Sequence, residues 1–325
     1  FSGANFWKDI ELPAHLELLE VDGTVSISQD VGIQIAGQFS RGDVFKSFDI
    51  IARSKYGKNS MDYQIFPDQQ YASYKAIISR PGGQDVKRTG MRDVLVSSLA
   101  RDTIPMDASG GPSVYVQNYR TALEFVNGEF WGVTHIRNKI DEHTIAQHYP
   151  GVDKDRVAIL QGIGKTVKAG TKQDSEDFLD LVEYAKTHDL SDPEYYKYVT
   201  DRMDIDSYIN FFTLELCCGN SDYANIRMWR SPDLDNKWRW IFYDFCWTFT
   251  KIDRSDISLN IKSDKASTNG YLIRALLENN EFKEKFLEKL AYNISVTFEP
   301  ERVLQRIDEI AAVMKPYIDA QNKKW

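Results

Sequence analysis

Ile205-Asp206-Ser207-Tyr208-Ile209-Asn210-Phe211-Phe212-Thr213-Leu214-Glu215-Leu216, closed by Gly219 and followed by Asn220-Ser221-Asp222-Tyr223-Ala224-Asn225, is the stretch on which the reading of this chain turns. Its first twelve residues are strongly apolar, as in a buried helix. Gly219 is a C-cap residue, because glycine enters the left-handed region without a Cβ clash. A polar loop then leads into a strand at 226–230, and Pro232-Asp233-Leu234-Asp235-Asn236 returns it as a second strand at 238–243. Within 219–249 two carboxylates therefore flank the hairpin, Asp222 on the loop and Asp244 at the end of an aromatic strand. Period-two alternation puts Ile241, Tyr243 and Phe245 on one face, and Phe242 and Asp244 on the other.

Outward from this segment, the two halves of the chain differ. The first half reads as strands and turns. Residues 16–21 precede Asp22-Gly23, a hairpin turn signal. Residues 31–37 alternate apolar and polar, and strands follow at 46–53, 74–78 and 113–116. Residues 120–126 turn at Asn127-Gly128 into 131–137. One helix is expected near 91–100. The second half is mainly helical, with an apolar stripe over 175–187 and about three helices from 272 onward. Strands first and helices after predict an α+β class. No Gly-, Ser- or Pro-rich linker separates the halves, which predicts one two-lobed unit, 1–325, rather than two independent domains.

The chain has 325 residues, 42% of them hydrophobic and 13% aromatic, enough for a sizeable core. A net charge of -8 argues against a general nucleic-acid surface and leaves room for a local basic pocket. The three cysteines, Cys217, Cys218 and Cys246, fit neither a disulfide framework nor a structural zinc site. No apolar run is long enough to span a membrane. The chain opens at Phe1 without a Met or a basic, apolar leader, and reads as an excised portion of a longer precursor.

Phosphoryl transfer needs an acid to orient the attacking hydroxyl, and an acid plus an amide to hold Mg²⁺. Asp222 suits the first role, and Asp244 with Asn225 suits the second, since hard oxygens favour Mg²⁺. The same residue types also cap helices and make turns, so spacing alone leaves both readings open. Arg41, Lys46 and Arg53 offer positive charge for phosphates, or are simply solvated. Gly162-Ile163-Gly164-Lys165-Thr166 is similar to a phosphate-binding loop but has Ile159 where that pattern needs glycine, so it reads as an ordinary loop. His143 and His148 miss the helical ligand spacing and read as surface or capping residues. Asn293-Ile294-Ser295 is a glycosylation triplet discounted by its place in a helix. Trp131, Trp229, Trp238, Trp240 and Trp247 read as core or interface in preference to a sugar platform.

The motifs, taken in order, resemble the CotH spore-coat protein kinase family, found widely in bacterial extracytoplasmic proteins. Ile35-Ala36-Gly37-Gln38-Phe39-Ser40-Arg41, Lys46-Ser47-Phe48, Arg53 and Tyr56-Gly57 are similar to the family's opening signature. Gly82-Gly83-Gln84-Asp85 with Met91-Arg92-Asp93 resembles a second block. Asn127-Gly128-Glu129-Phe130-Trp131-Gly132-Val133 with Ile140-Asp141 resembles a third. Gly219-Asn220-Ser221-Asp222 and Trp238-Arg239-Trp240 to Asp244 resemble the catalytic and metal-binding segments. The resemblance implies an atypical protein-kinase-like fold, with a strand-rich lobe over about 1–150 and a mainly helical lobe over about 151–325. It implies ATP- and Mg²⁺-dependent phosphorylation of protein Ser/Thr hydroxyls in an extracytoplasmic setting. Asp222 would be the catalytic acid and Asp244 the metal ligand, with the basic residues of the strand lobe facing the phosphates.

The chain departs from the family pattern at several places. Asn138 stands where the family has Glu, and Cys246 where it has the second Asp of Asp-x-Asp. Asn225 follows Asp222 by only three residues, where the family's gap is longer. Ser79-Arg80-Pro81 replaces Leu-Arg-Asn. Two lost carboxylates weaken divalent-cation binding. The rivals are therefore a catalytically weak pseudokinase kept for binding, and a surface adhesion module for a protein or glycan partner.

Overall fold

The computed structural model describes residues 3–222, 224–250 and 268–325. In chain order its strands are β1 (Leu12–Leu19), β2 (Val25–Ile35), β3 (Phe48–Ile51), β4 (Met61–Asp62), β5 (Ser73–Tyr74) and β6 (Ala76–Arg80). Then come helix α1 (Arg92–Arg101), β7 (Tyr115–Val116), β8 (Tyr119–Val126), β9 (Glu129–Asn138) and α2 (Glu142–His148). They are followed by β10 (Ala158–Gln161), β11 (Thr166–Ala169), α3 (Lys172–Thr187), α4 (Pro193–Thr200) and α5 (Ile205–Cys218). The chain continues through β12 (Arg227–Arg230), β13 (Arg239–Phe242), α6 (Thr268–Leu276), α7 (Asn280–Tyr292) and α8 (Pro300–Lys324). The fold is mixed α+β. It divides into two compact units, one of Phe1–Leu95, Gln117–Ile140 and Arg306–Trp325, the other of Val96–Val116 and Asp141–Gln305.

The first unit is built on a six-stranded antiparallel sheet in the order β1-β2-β3-β6-β9-β8. Its hairpins form where the turn residues stand. Asp22 accepts from Thr24 N at 2.9 Å, and Asn127 and Gly128 take φ of 52° and 79°. Two successive left-handed residues match the twist of the flanking strands, which is why Asn-Gly works here. Ile27, Met61, Phe66, Ile77 and Ile136 form the apolar cluster on the sheet. A buried ion pair joins Arg137 to Asp93 at 2.7 Å, and Arg80 approaches the same carboxylate at 3.3 Å. Arg137 is 1% exposed, so removing Asp93 would strand a desolvated cation.

The second unit carries a five-stranded sheet in the order β11-β10-β12-β13-β7, with β7 parallel to β13. The β10–β11 hairpin is a correction to the mainly helical reading of this half. Its turn is 162–165, so the glycine loop joins two antiparallel strands and does not lead from a strand into a helix. Gly164 has φ 86°, and a Cβ there would lie 2.4 Å from the Phe178 ring. Helix α3 starts three residues before the expected stripe, because Thr171 and Asp174 close a capping box. Trp229, Trp238 and Trp240 are fully buried, so these three indoles form core and present no sugar platform. Asn293 is also buried, donating to Thr213 Oγ1 at 2.8 Å, which removes it as a glycosylation acceptor. His148 is half-buried and hydrogen-bonded to Thr144 O at 2.8 Å, with burial pushing its pKa down to about 4. Among the described residues, no helix is long and apolar enough to cross a membrane.

His135 in β9 gives the first unit an acid-sensitive point. Its Nε2–H donates to Gly90 O at 3.0 Å, and Thr121 donates to its Nδ1 at 3.1 Å. Burial, with the Arg137 charge nearby, pushes its pKa down to about 4. The unfolded chain takes a proton below about pH 6.5, and the native state refuses it until about pH 4. Stability is therefore fully present above pH 6.5 and falls by up to about 3 kcal/mol on acidification towards pH 4. His135→Gln is expected to flatten this slope in thermal melts taken between pH 7.5 and pH 5. An unchanged slope would exclude His135 as its source.

Candidate functional site

Helix α5 is capped by Asp204, whose side chain accepts from Ser207 N at 2.9 Å. It stops at Gly219, with φ 58° and ψ 44°. The Gly219 and Asn220 amides then donate to Leu216 O (3.2 Å) and Glu215 O (3.3 Å). This is the Schellman pattern, which satisfies the last carbonyls of a helix buried nearly all round. Ser221 donates through N and Oγ to Trp247 O at 3.3 and 3.1 Å. Phe249 N donates to Cys218 O at 3.2 Å. These bonds tie the loop of Asp222 to the turn of Asp244.

Asp244 lies just beyond β13 and has φ 66°. A non-glycine residue in this region carries strain, and aspartate tolerates it better than most. The left-handed turn corrects the expected alternation. It brings the Phe245 ring back onto Phe242, with centroids 3.8 Å apart, so the two aromatics pack together and do not face opposite ways.

Asn225 sits between the acids. Its Nδ2 donates to Asp244 Oδ2 at 2.8 Å, and its backbone N donates to Asp222 O at 3.0 Å. Its Oδ1 accepts from Tyr243 OH at 2.7 Å and from Gln161 Nε2 at 3.3 Å. Cys246 donates its thiol to Asp244 Oδ1 at 3.3 Å. Burial, then the like charge of Asp244, raises the Asp222 pKa, while the Asn225 amide pulls it down.

The residue missed in the sequence is Glu215, on the last turn of α5. It is 6% exposed, and its Oε2 has no hydrogen-bond partner among the described residues. Burial pushes its pKa up to about 8, aided by the Asp222 and Asp244 charges and opposed by a hydrogen bond from Asn220. A lone acid in the run Phe211-Phe212-Thr213-Leu214-Glu215-Leu216 was the available signal.

The Asp244 charge thus acts on both Asp222 and Glu215, and three carboxyls share one site. The family model described as CotH kinase protein matches residues 33–325. The chain belongs to this family. Comparison with curated proteins gives no match. CotH membership points to kinase-like chemistry, with use of a nucleotide and a metal ion.

The remaining expected CotH positions lie in the first unit. Arg41 donates to Gly37 O at 2.8 Å and pairs with Asp9 at 2.6 Å. Lys46 donates to Arg41 O at 2.6 Å, which brings these two cations together. Arg53 pairs with Glu11 at 2.9 Å. Asn138 is 1% exposed, with Oδ1 accepting from Asn118 N at 3.1 Å and Nδ2 donating to Tyr71 OH at 2.7 Å. A glutamate there would lose that donor and bury a charge.

The raised pKa of Glu215 fixes a sign. The native state keeps the proton from about pH 4.5, where the unfolded chain loses it, up to about pH 8, so stability falls as pH rises through that window. Glu215→Gln mimics the protonated form. It is expected to melt higher than the natural chain at pH 9 and close to it at pH 5. A Glu215→Gln variant that gains no melting temperature over the natural chain between pH 5 and pH 9 would refute a buried, protonated Glu215.

Proposed function

We propose that this CotH chain transfers the γ-phosphoryl group of ATP to a Ser or Thr hydroxyl of a protein, in an extracytoplasmic setting. On this reading residues 1–325 work as one catalytic unit of an atypical, two-lobed kinase-like kind. The observation that carries the reading is the convergence of Asp222 and Asp244 on Asn225, close enough for both charges to act on the buried Glu215. Asp222 orients the attacking hydroxyl and accepts its proton, a role favoured by a carboxyl whose pKa is raised by burial.

The donors suit Mg²⁺. Among the described residues, no three His, Cys, Asp or Glu side chains are grouped to hold a metal ion by themselves. Mg²⁺ commonly takes one or two carboxylates and completes its shell with phosphate oxygens and water. Asp244 would hold it, joined by Asn225 once that amide turns its oxygen toward the acids. When bound, Mg²⁺ supplies neutralisation of phosphate charge. Arg41, Lys46 and Arg53 are assigned to the nucleotide phosphates by their charge and by the family pattern.

Asp244→Asn is expected to lower Mg²⁺-ATP affinity at least tenfold in calorimetric titration. Asp222→Asn should retain binding and lose transfer of labelled phosphate to Ser/Thr peptides by about 10²-fold or more. Absence of Mg²⁺-ATP binding by the natural chain would sink the enzymatic reading.

A second reading, a binding-only pseudokinase, is favoured by one observation. The Cys246 thiol stands against Asp244 at 3.3 Å, where the family pattern has a carboxylate. If this reading holds, Cys246→Asp creates Mg²⁺ binding that the natural chain lacks. If the natural chain already binds Mg²⁺-ATP, the substitution changes affinity without creating it.

A further inference from the structure

All three cations assigned to phosphates are already engaged, and by one short stretch of chain. Trp7 O accepts from Arg41 Nη1 at 3.4 Å, and Asp9 Oδ1 from Arg41 Nη2 at 2.6 Å. The Phe6 ring lies 4.1 Å from Lys46 Nζ, under the ammonium. Glu11 takes Arg53 Nε at 2.9 Å, Lys55 Nζ at 2.9 Å and Tyr56 OH at 3.0 Å. Acceptor oxygens of residues 7–11 thus occupy guanidinium hydrogens that phosphate oxygens would take.

The backbone is shaped to admit this contact. A Cβ on Gly32 of β2 would lie 2.7 Å from the Glu11 carboxyl and 2.8 Å from the Tyr56 ring. Gly32 has no positive φ, so its lack of a side chain serves the approach of Glu11 rather than a turn. The stretch is not anchored by apolar burial. Trp7 is 41% exposed and Ile10 45%, and the Asp9 side chain is 81% exposed. Exposed ion pairs contribute little and are screened by salt, so the contact is suited to release. The Glu11 side chain, 14% exposed with three donors, is the stronger point of attachment.

We propose that residues 6–11 form an autoinhibitory strap, in which Asp9 and Glu11 stand in for phosphate on Arg41 and Arg53 and compete with the nucleotide. The inference rests on the assignment of these cations to ATP phosphates. A strap that is mostly closed reduces apparent affinity by the fraction of molecules in which it is open.

The test uses the full chain, titrated by calorimetry with Mg²⁺-ATP and, separately, with inorganic triphosphate. Asp9→Asn combined with Glu11→Gln is expected to tighten both affinities about tenfold. Gly32→Ala, which crowds Glu11 without altering any charge, should tighten them in the same direction. Adding Arg41→Ala and Arg53→Ala to the double variant should abolish the gain. If the natural chain and the strap variants bind both ligands equally, the strap is overturned and the phosphotransfer reading stands. If no variant binds either ligand, both are overturned together.

Discussion

The left-handed turn at Gly219 is the constraint from which the site follows. It stops α5 at Cys218 and folds the Asn220 amide back onto the Glu215 carbonyl. A helix so fully buried has no water to satisfy its last carbonyls, and the two returning amides do so instead. The geometry then leaves little freedom for the next residues. Ser221 is fixed on the Trp247 carbonyl, and Asp222 emerges beside the turn that carries Asp244. A second left-handed residue, Asp244 itself, supplies the other half of the arrangement. The acids converge because two sharp turns face each other across a short hydrogen-bonded seam.

Convergence of like charges has a cost. Like charges gathered in a partly buried site repel more strongly than they would in water, and the Asp244 charge raises the Asp222 pKa. Asn225 offsets part of this by turning its NH₂ group to the acids while Tyr243 and Gln161 hold its oxygen. The amide plays the part of a weak cation. Glu215 avoids adding a third charge by keeping its proton near neutral pH. On the proposed reading, a bound cation would let the amide reverse and give both acids a positive partner.

Much of the fold was legible in the sequence, because it rests on local patterns. The Asn127-Gly128 hairpin, the apolar run of α5 and its stop at Gly219 all follow from residue type and spacing. The β10–β11 hairpin was not, since Ala158-Ile159-Leu160-Gln161 is too short to tell strand from buried helix. The early start of α3 is legible in Thr171 and Asp174, whose spacing is that of a capping box. Asp222 and Asp244 were visible as acids, but the strand rule misdirected the aromatics around Asp244 because it cannot foresee a left-handed turn. Glu215 was hidden within the apolar run that identified α5 as a buried helix. The partners of Arg41 and Arg53 lie 32 and 42 positions away, beyond any local pattern.

The two lost carboxylates now differ in meaning. Asn138 is woven into the first unit by both ends of its amide, with Asn118 and Tyr71 as partners. Its neighbourhood suits a neutral group, and a glutamate there would lose the donor to Tyr71 and bury a charge. Cys246 is a different case. Its thiol donates to Asp244 Oδ1 at 3.3 Å, a weak hydrogen bond from a weak donor. An aspartate there would face the Asp244 charge directly and would be tolerable chiefly with a cation present. The balance between enzyme and binding module therefore turns on whether Asp244, Asn225 and a nucleotide's own oxygens complete a metal shell without help from position 246.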